Sequence, residues 1–274
     1  MFRFLTLFAA LGLATSALAQ DRKPSHCIAL AQAPGLEFVQ NAIFSEPLAD
    51  FTIRLNYVAH STFLIEAQDG TTIATDYAGT LGPTGLVPDV VTMNKAHSSH
   101  FTYTPDPRIP NVLTGWNPKG GAIDHRLEVG EVLIRNVSTD ILAGFGAVTE
   151  ELANSIFVFE IAGLCVAHLG HLHHTPTEAQ FAALGRMDVI MAPVDGGRTL
   201  DLPSMIATLK RARASVVIPM HWFSIGGLQR FLAGMADEFE IEIRDQNFLE
   251  VSLKTLPARP TVVALRPTYL VDPE

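Results

Sequence analysis

Four of the chain's ten histidines fall within seven positions: His168, His171, His173 and His174, in the segment CVAHLGHLHHTPTEAQ. An apolar run precedes them and a helix start follows. A neutral imidazole offers one lone pair to a cation and is a common ligand for zinc and other divalent transition metals. Two further groups stand in similar settings: His97 and His100 follow the apolar run DVVTMN, and His221 ends SVVIPM. A lone histidine is ordinarily a surface or core residue with a satisfied hydrogen bond. Five at the ends of three strand-like runs read instead as a metal site made of His97, His100, His168, His171 and His221. His60, in VAHSTFLIE, also follows a strand and supports the site from below. His26 and His125 stand alone and read as structural, and His173 and His174 read as supporting or surface positions.

The surrounding pattern supplies elements to hold these residues. FTIRLNYV, STFLIEA and TTIATDY are β-rich runs, the last two separated by the turn signal QDG. LEVGEVLIRNVS reads as a hairpin turning at Gly130, and SIFVFEIAGLCVAHLG as two strands about Gly163. Thr175 is expected to cap a helix, with Pro176 at its first position and Glu178 three residues on, running to about Leu184. MDVIMAPV and SVVIPMH are buried strands, and LPSMIATLKRARA between them is an amphipathic helix. The late runs EIEIRD, FLEVSL and TVVAL suggest a final set of strands. Strand–helix–strand alternation with short loops predicts α/β layers, whose strand ends converge on one functional edge.

On these segments the chain resembles the metallo-β-lactamase fold family, and within it the broad bacterial group of zinc-dependent hydrolases that includes ascorbate-phosphate lactonases. VAHSTFLIEAQDGTTIATDY is similar to the family's opening Gly-His-x-x-Phe segment, with Ala59 in place of the glycine. NSIFVFEIAGLCVAHLGH is similar to its central hairpin ending His-Leu-Gly-Asp. MDVIMAPVDGG and ASVVIPMHWF are similar to its last two core strands and terminal ligand histidine. The resemblance spans roughly residues 52 to 235 and implies a four-layer αβ/βα sandwich with the site along one edge.

Two departures bear on the chemistry. The family's His-x-His-x-Asp-His motif reads here Lys95-Ala96-His97-Ser98-Ser99-His100, and His171 stands where the family has a metal-bridging aspartate. An imidazole cannot bridge two cations, and a charged lysine has no acceptor to offer a metal. Lys95 is therefore expected to point into the place of a second cation, there to bind an anionic group or a developing oxyanion. Ser99 removes an anionic base. What remains is a single-metal centre on His100, His171 and His221, with His97 and His168 close by. Three neutral histidines plus water is a known catalytic zinc arrangement. Asp76, at a strand end, is either a support of the site edge or a turn residue. Asp195, in the turn before Gly196 and Gly197, is a candidate general base. Trp116 and Trp222 line a cleft or pack in the core.

Composition bounds the rest. A chain of 274 residues, 48% hydrophobic, can bury one large core. A net charge of −9 argues against a nucleic-acid-binding surface, and the resemblance implies a small-molecule substrate as partner. Residues 1–19 read as a secretory signal peptide: Arg3, an apolar run to about Leu13, and Ala17-Leu18-Ala19 before the cleavage point. Residues 20–50 form a lead-in, and 51–274 the main domain. After cleavage no integral membrane segment is expected, and the protein is periplasmic or secreted. Cys27 and Cys165 either pair there or remain free, Cys165 as a buried thiol. The expected activity is metal-dependent hydrolysis of an ester, lactone, amide or phosphodiester by a metal-bound hydroxide. Lys95 and Asp195 would be its catalytic side chains, with zinc as one ion rather than two and iron or manganese as alternatives. The alternative is a non-catalytic periplasmic binding or metal-holding protein on the same fold.

Overall fold

The computed structural model describes residues 25–29, 48–143 and 148–272; the expected signal peptide and most of the lead-in lie outside them. A short helical turn, α1 (His26–Ala29), comes first. The strands β1 (Ile53–Ala59), β2 (Thr62–Glu66), β3 (Thr72–Ala74), β4 (Val90–Met93) and β5 (Asn111–Thr114) follow. A meander comes next: β6 (Arg126–Val129), β7 (Val132–Ala143), β8 (Val148–Ile161) and β9 (Leu164–His168). Helices and strands then alternate: α2 (Glu178–Leu184), β10 (Val189–Pro193), α3 (Leu202–Ala212), β11 (Val216–Met220), α4 (Ile225–Met235) and β12 (Glu240–Ile243). The strands β13 (Phe248–Val251) and β14 (Thr261–Ala264) close the order. Among the described residues these form a six-stranded sheet, β13-β1-β2-β3-β4-β5, and an eight-stranded sheet, β12-β14-β11-β10-β9-β8-β7-β6.

Side-chain parity sets the layers, because successive residues of a strand face opposite sides of the sheet. On β8, Phe157 and Phe159 enter the core between the sheets, while Ile156 and Val158 face the helices. On β10, Val189 and Met191 take the first side and Ile190 and Ala192 the second. Both faces are therefore apolar, as strands covered on two sides require. From the other sheet, Leu55, Tyr57, Phe63 and Ile65 meet this core. The helical layer contributes Met205, Leu209, Phe231 and Met235. Outside the smaller sheet, Leu64, Val91 and Met93 are covered by Tyr77, Leu81, Phe101 and Ile109 from loops.

The run β9–α2–β10–α3–β11 pairs its strands in parallel, so their C-terminal ends share one edge. Each helix starts on a side-chain cap. The cap of α2 is Thr177 rather than Thr175: its hydroxyl accepts from Gln180 N, and the Gln180 side chain accepts from Thr177 N. Pro176 therefore lies outside the helix. Asp201 and Ser224 cap α3 and α4. The segment IGGLQRFLAGM of α4 carries two early glycines that weaken the helical signal; burial of Phe231, Leu232 and Met235 overrides it. Cys27 and Cys165 are joined by a disulfide.

Candidate metal centre

The histidines converge because the loops bearing them lie on the edge where the two sheets meet. The β1–β2 turn is the clamp. The His60 carbonyl accepts from Tyr57 Oη at 2.6 Å and from His221 N at 2.8 Å, and Ser61 O accepts from His168 Nε2 at 2.8 Å. A second tie is Asn94, fully buried at the end of β4. Its Oδ1 accepts from Ser155 N on β8 at 2.8 Å, and its Nδ2 donates to Asp76 Oδ1 at 2.8 Å. The loop after β4 closes on itself, Asn94 N donating to His100 O and His100 N to His97 O. His60, Asp76 and His221 all adopt positive φ, at 45°, 44° and 56°, a conformation that non-glycine residues seldom take without packing to enforce it.

Ligand atoms of His60, His97, His100 and His221 all lie within 4.8 Å of one another. His171 joins them: its Nε2 faces His97 Nε2 at 3.1 Å, and its ring centroid lies 4.8 Å from His100 and 4.9 Å from His221. His60 Nε2, His100 Nε2, His171 Nδ1 and both ring nitrogens of His221 are buried with no hydrogen-bond partner. Buried polar atoms are almost always paired, so free nitrogens on His60, His100 and His221, members of one group of rings, fit a cation. Neutral imidazoles are the required form of the ligand. Burial first, then repulsion from the neighbouring histidines, lowers His60 to about 3 and His97 to about 4. Arg198 adds to the repulsion at His97. Burial and the same neighbours push His171 well below the ordinary histidine value.

The remaining polar groups orient the rings. Asp76, fully buried, accepts from His100 Nδ1 at 2.6 Å and so turns Nε2 toward the cluster. Burial alone would raise the Asp76 carboxyl. Its neighbours His168 and His100, with hydrogen bonds from His100 and Asn94, hold it below the usual range. Ser99, where the family motif has aspartate, lies 2.8 Å from His97 Nδ1 and orients that ring. Asp195 Oδ1 stands 3.5 Å from His221 Nδ1. Burial opposes its ionisation, but His221, the Thr199 hydroxyl and the Arg198 N–H more than offset this, and its carboxyl is held low.

Three expected site residues occupy other places. His168 has both ring nitrogens engaged, Nε2–H donating to Ser61 O and Nδ1 accepting from Gly170 N at 3.1 Å, so it has no lone pair to offer. Lys95 does not fill the place of a second cation, because its ammonium pairs with Glu150 where both side chains are about two-fifths exposed. Asp195, expected as a base, accepts from Thr199 Oγ1 and from the backbone of Arg198 and Gly197. His60 enters the cluster itself, and the signal for it was its place at a strand end like the others. Asn94 gave no separate signal, since its role depends on contacts across the fold, and Ser99, read only as the loss of an anionic base, serves instead through its local contact with His97. Trp116 packs against Phe101, and Trp222 against the helix-side core.

Residues 54–221 match the Beta-lactamase superfamily domain. Among solved structures the chain is similar to a protein from Thermotoga maritima assigned as a Zn-dependent hydrolase of the metallo-beta-lactamase superfamily. Identity is 26%, over 78% of this chain and 98% of that one, with a TM-score of 0.54. It shares its fold with Igni18, a metallo hydrolase from Ignicoccus hospitalis, at 19% identity over 68% of this chain and 91% of that one, TM-score 0.52. It also shares it with an isothiocyanate hydrolase from Delia radicum gut bacteria, at 12% identity over 73% and 99%, TM-score 0.52. No curated protein matches the chain.

Proposed function

The chain belongs to the metallo-beta-lactamase superfamily, and from that premise we propose that it is an exported, metal-dependent hydrolase of a small-molecule substrate. The carrying observation is the grouping of ring nitrogens from His60, His97, His100 and His221 within 4.8 Å of one another, those of His60, His100 and His221 buried and unpartnered, with His171 in contact through His97. These residues would hold one divalent cation. An all-imidazole donor set favours zinc, with iron or manganese as alternatives. One ion is preferred over two because the nearby carboxylates, Asp76 and Asp195, are directed at histidines and, among the described residues, no carboxylate belongs to the group of metal-type ligand atoms. Bound there, the cation would supply Lewis acidity toward water and toward a carbonyl or phosphoryl oxygen.

The chain's own residues fix the geometry. Asp76 and Ser99 hold the Nδ1 sides of His100 and His97, which leaves His100 Nε2 unpartnered and turns His97 Nε2 toward His171, and Asp195 backs His221. These are positioning residues, of the kind that orient a ligand histidine and raise its basicity. The bond cleaved is that of an ester, lactone, amide or phosphodiester. The Cys27–Cys165 disulfide supports export, since such bonds persist in oxidising compartments. Among the described residues no helix is long and apolar enough to cross a membrane.

The test is the metal content and esterase activity of protein purified without added metal. About one equivalent of zinc is expected, with hydrolysis lost on chelation and restored by zinc, and with occupancy lost in His171→Ala. Two equivalents would overturn the single-ion reading. Bound metal without turnover across ester, lactone, amide and phosphodiester probes would favour the binding-protein alternative.

A further inference from the structure

Arg198 lies beside the histidine cluster, exposed, and makes no ion pair with a carboxylate among the described residues. Its guanidinium carbon sits 5.5 Å from the centroid of the Phe223 ring. Phe223 is 61% exposed, and its centroid is in turn 5.2 Å from His221 and 5.5 Å from His60. A cation and an apolar ring therefore border the cluster side by side.

The backbone holds Arg198 in this place from both sides. Asp195 Oδ2 accepts from Arg198 N at 2.6 Å. His173 Nε2 donates to Arg198 O at 2.5 Å, while its Nδ1 accepts from Leu142 N on β7. Asp195 adjoins His221, and the His173 ring lies 4.7 Å from His171. The same groups that steady the cluster thus fix the base of an exposed arginine. Phe223 precedes Ser224, whose hydroxyl caps α4 by accepting from Gly227 N at 3.1 Å. A further cation near the cluster, Lys95, is already paired with Glu150.

Charge adds direction. The Asp76 and Asp195 carboxylates are directed at His100, Asn94, His221 and Thr199, so with or without a cation the exposed guanidinium is left to meet an anion. A guanidinium fork matches a carboxylate or phosphoryl group in a bidentate way. We propose that Arg198 and Phe223 form a recognition subsite that selects substrates joining an anionic group to an apolar moiety. Arg198 takes the anion and Phe223 the apolar part. The selection of such substrates rests on the hydrolase reading above, but anion binding at the pair does not.

The experiment therefore reads binding to the metal-free chain. Calorimetric titration compares 3-phenylpropionate with its neutral isostere 3-phenylpropionamide, and 2-phenylethylphosphonate runs in parallel to tell a carboxylate preference from a phosphoryl one. Both anions should bind more tightly than the amide. Arg198→Gln should weaken one or both anions about tenfold, the scale of a lost charge-assisted contact, and leave the amide unchanged. Phe223→Ala should weaken acid and amide alike. Arg259→Gln, a remote exposed arginine paired with Glu240, should change nothing. Failure of both anions to bind the unsubstituted chain, or equal binding to Arg198→Gln, would overturn the assignment. If binding depends on Arg198 but the zinc-loaded protein hydrolyses no probe, the hydrolase reading falls and the subsite stands.

Discussion

At the scale of the residue, the centre depends on groups that never face the cation. Asp76 is fully buried and its carboxylate is shared between His100 and Asn94. Asp76→Asn keeps the shape but removes the charge that fixes the His100 tautomer. Zinc affinity should fall about 10- to 100-fold, measured by competition with a chromophoric chelator, with the circular dichroism spectrum unchanged. Lys95 gives the contrasting case. Its ammonium pairs with Glu150 near solvent, a contact worth at most about 1 kcal/mol. Lys95→Ala should leave zinc content unchanged by elemental analysis. A second equivalent appearing in that variant would return Lys95 to the place of an excluded cation.

At the scale of the element, the loop after β9 decides which histidines reach the cluster. Gly170 has φ +59°, and a Cβ there would lie 2.5 Å from Asn154 Oδ1 and closer still to Asn94 Nδ2. Asn154 Oδ1 is also the acceptor that holds His171 N at 2.8 Å. Gly170→Ala therefore combines backbone strain with displacement of Asn94, which ties the two sheets, and of Asn154, which holds the loop itself. A loss of about 3 kcal/mol is expected, read from urea unfolding, together with weaker zinc binding because His171 shifts. Loss of stability with unchanged zinc affinity would mean that the loop can relax without moving His171.

At the scale of the whole molecule, α1 is stapled to the far side of the larger sheet. Cys27 bonds Cys165 across 138 positions of sequence. Buried Glu160 receives hydrogen bonds from Ser25 Oγ, His26 N and Arg135 Nε, and Arg135 also donates to the carbonyls of Ala183 and Leu184 at the end of α2. A cross-link over so long a loop restricts the unfolded chain most. Replacing both cysteines with serine should cost about 3 kcal/mol in denaturant unfolding. The cost should disappear when the unsubstituted protein is compared under strong reductant. Zinc affinity should hold, since the staple and the cluster lie on different parts of the fold.

Local signals in the chain were enough to place most of the strands, the alternation after β8 and the metal-type histidines at strand ends. Apolar periodicity and chain order carry that information without tertiary contacts. The helix α4 escaped because its early glycines weaken the local signal, and β5 because its four residues are only partly buried. The cap of α2 moved from Thr175 to Thr177 because either threonine satisfies the local pattern, and only the reciprocal bond with Gln180 selects one. Tertiary structure alone decided which nitrogens are free. His168 and His171 are three residues apart in one loop, yet Ser61 O and Gly170 N engage both nitrogens of the first, while the second keeps Nδ1 unpartnered and meets His97. The same holds for Lys95, drawn to Glu150, and for Asp195, whose oxygens are taken by its own turn. The physical reason is that ligand capacity belongs to an atom and its hydrogen bonds, and the partners that decide it, Ser61 for His168, His97 for His171 and Glu150 for Lys95, lie far away in sequence.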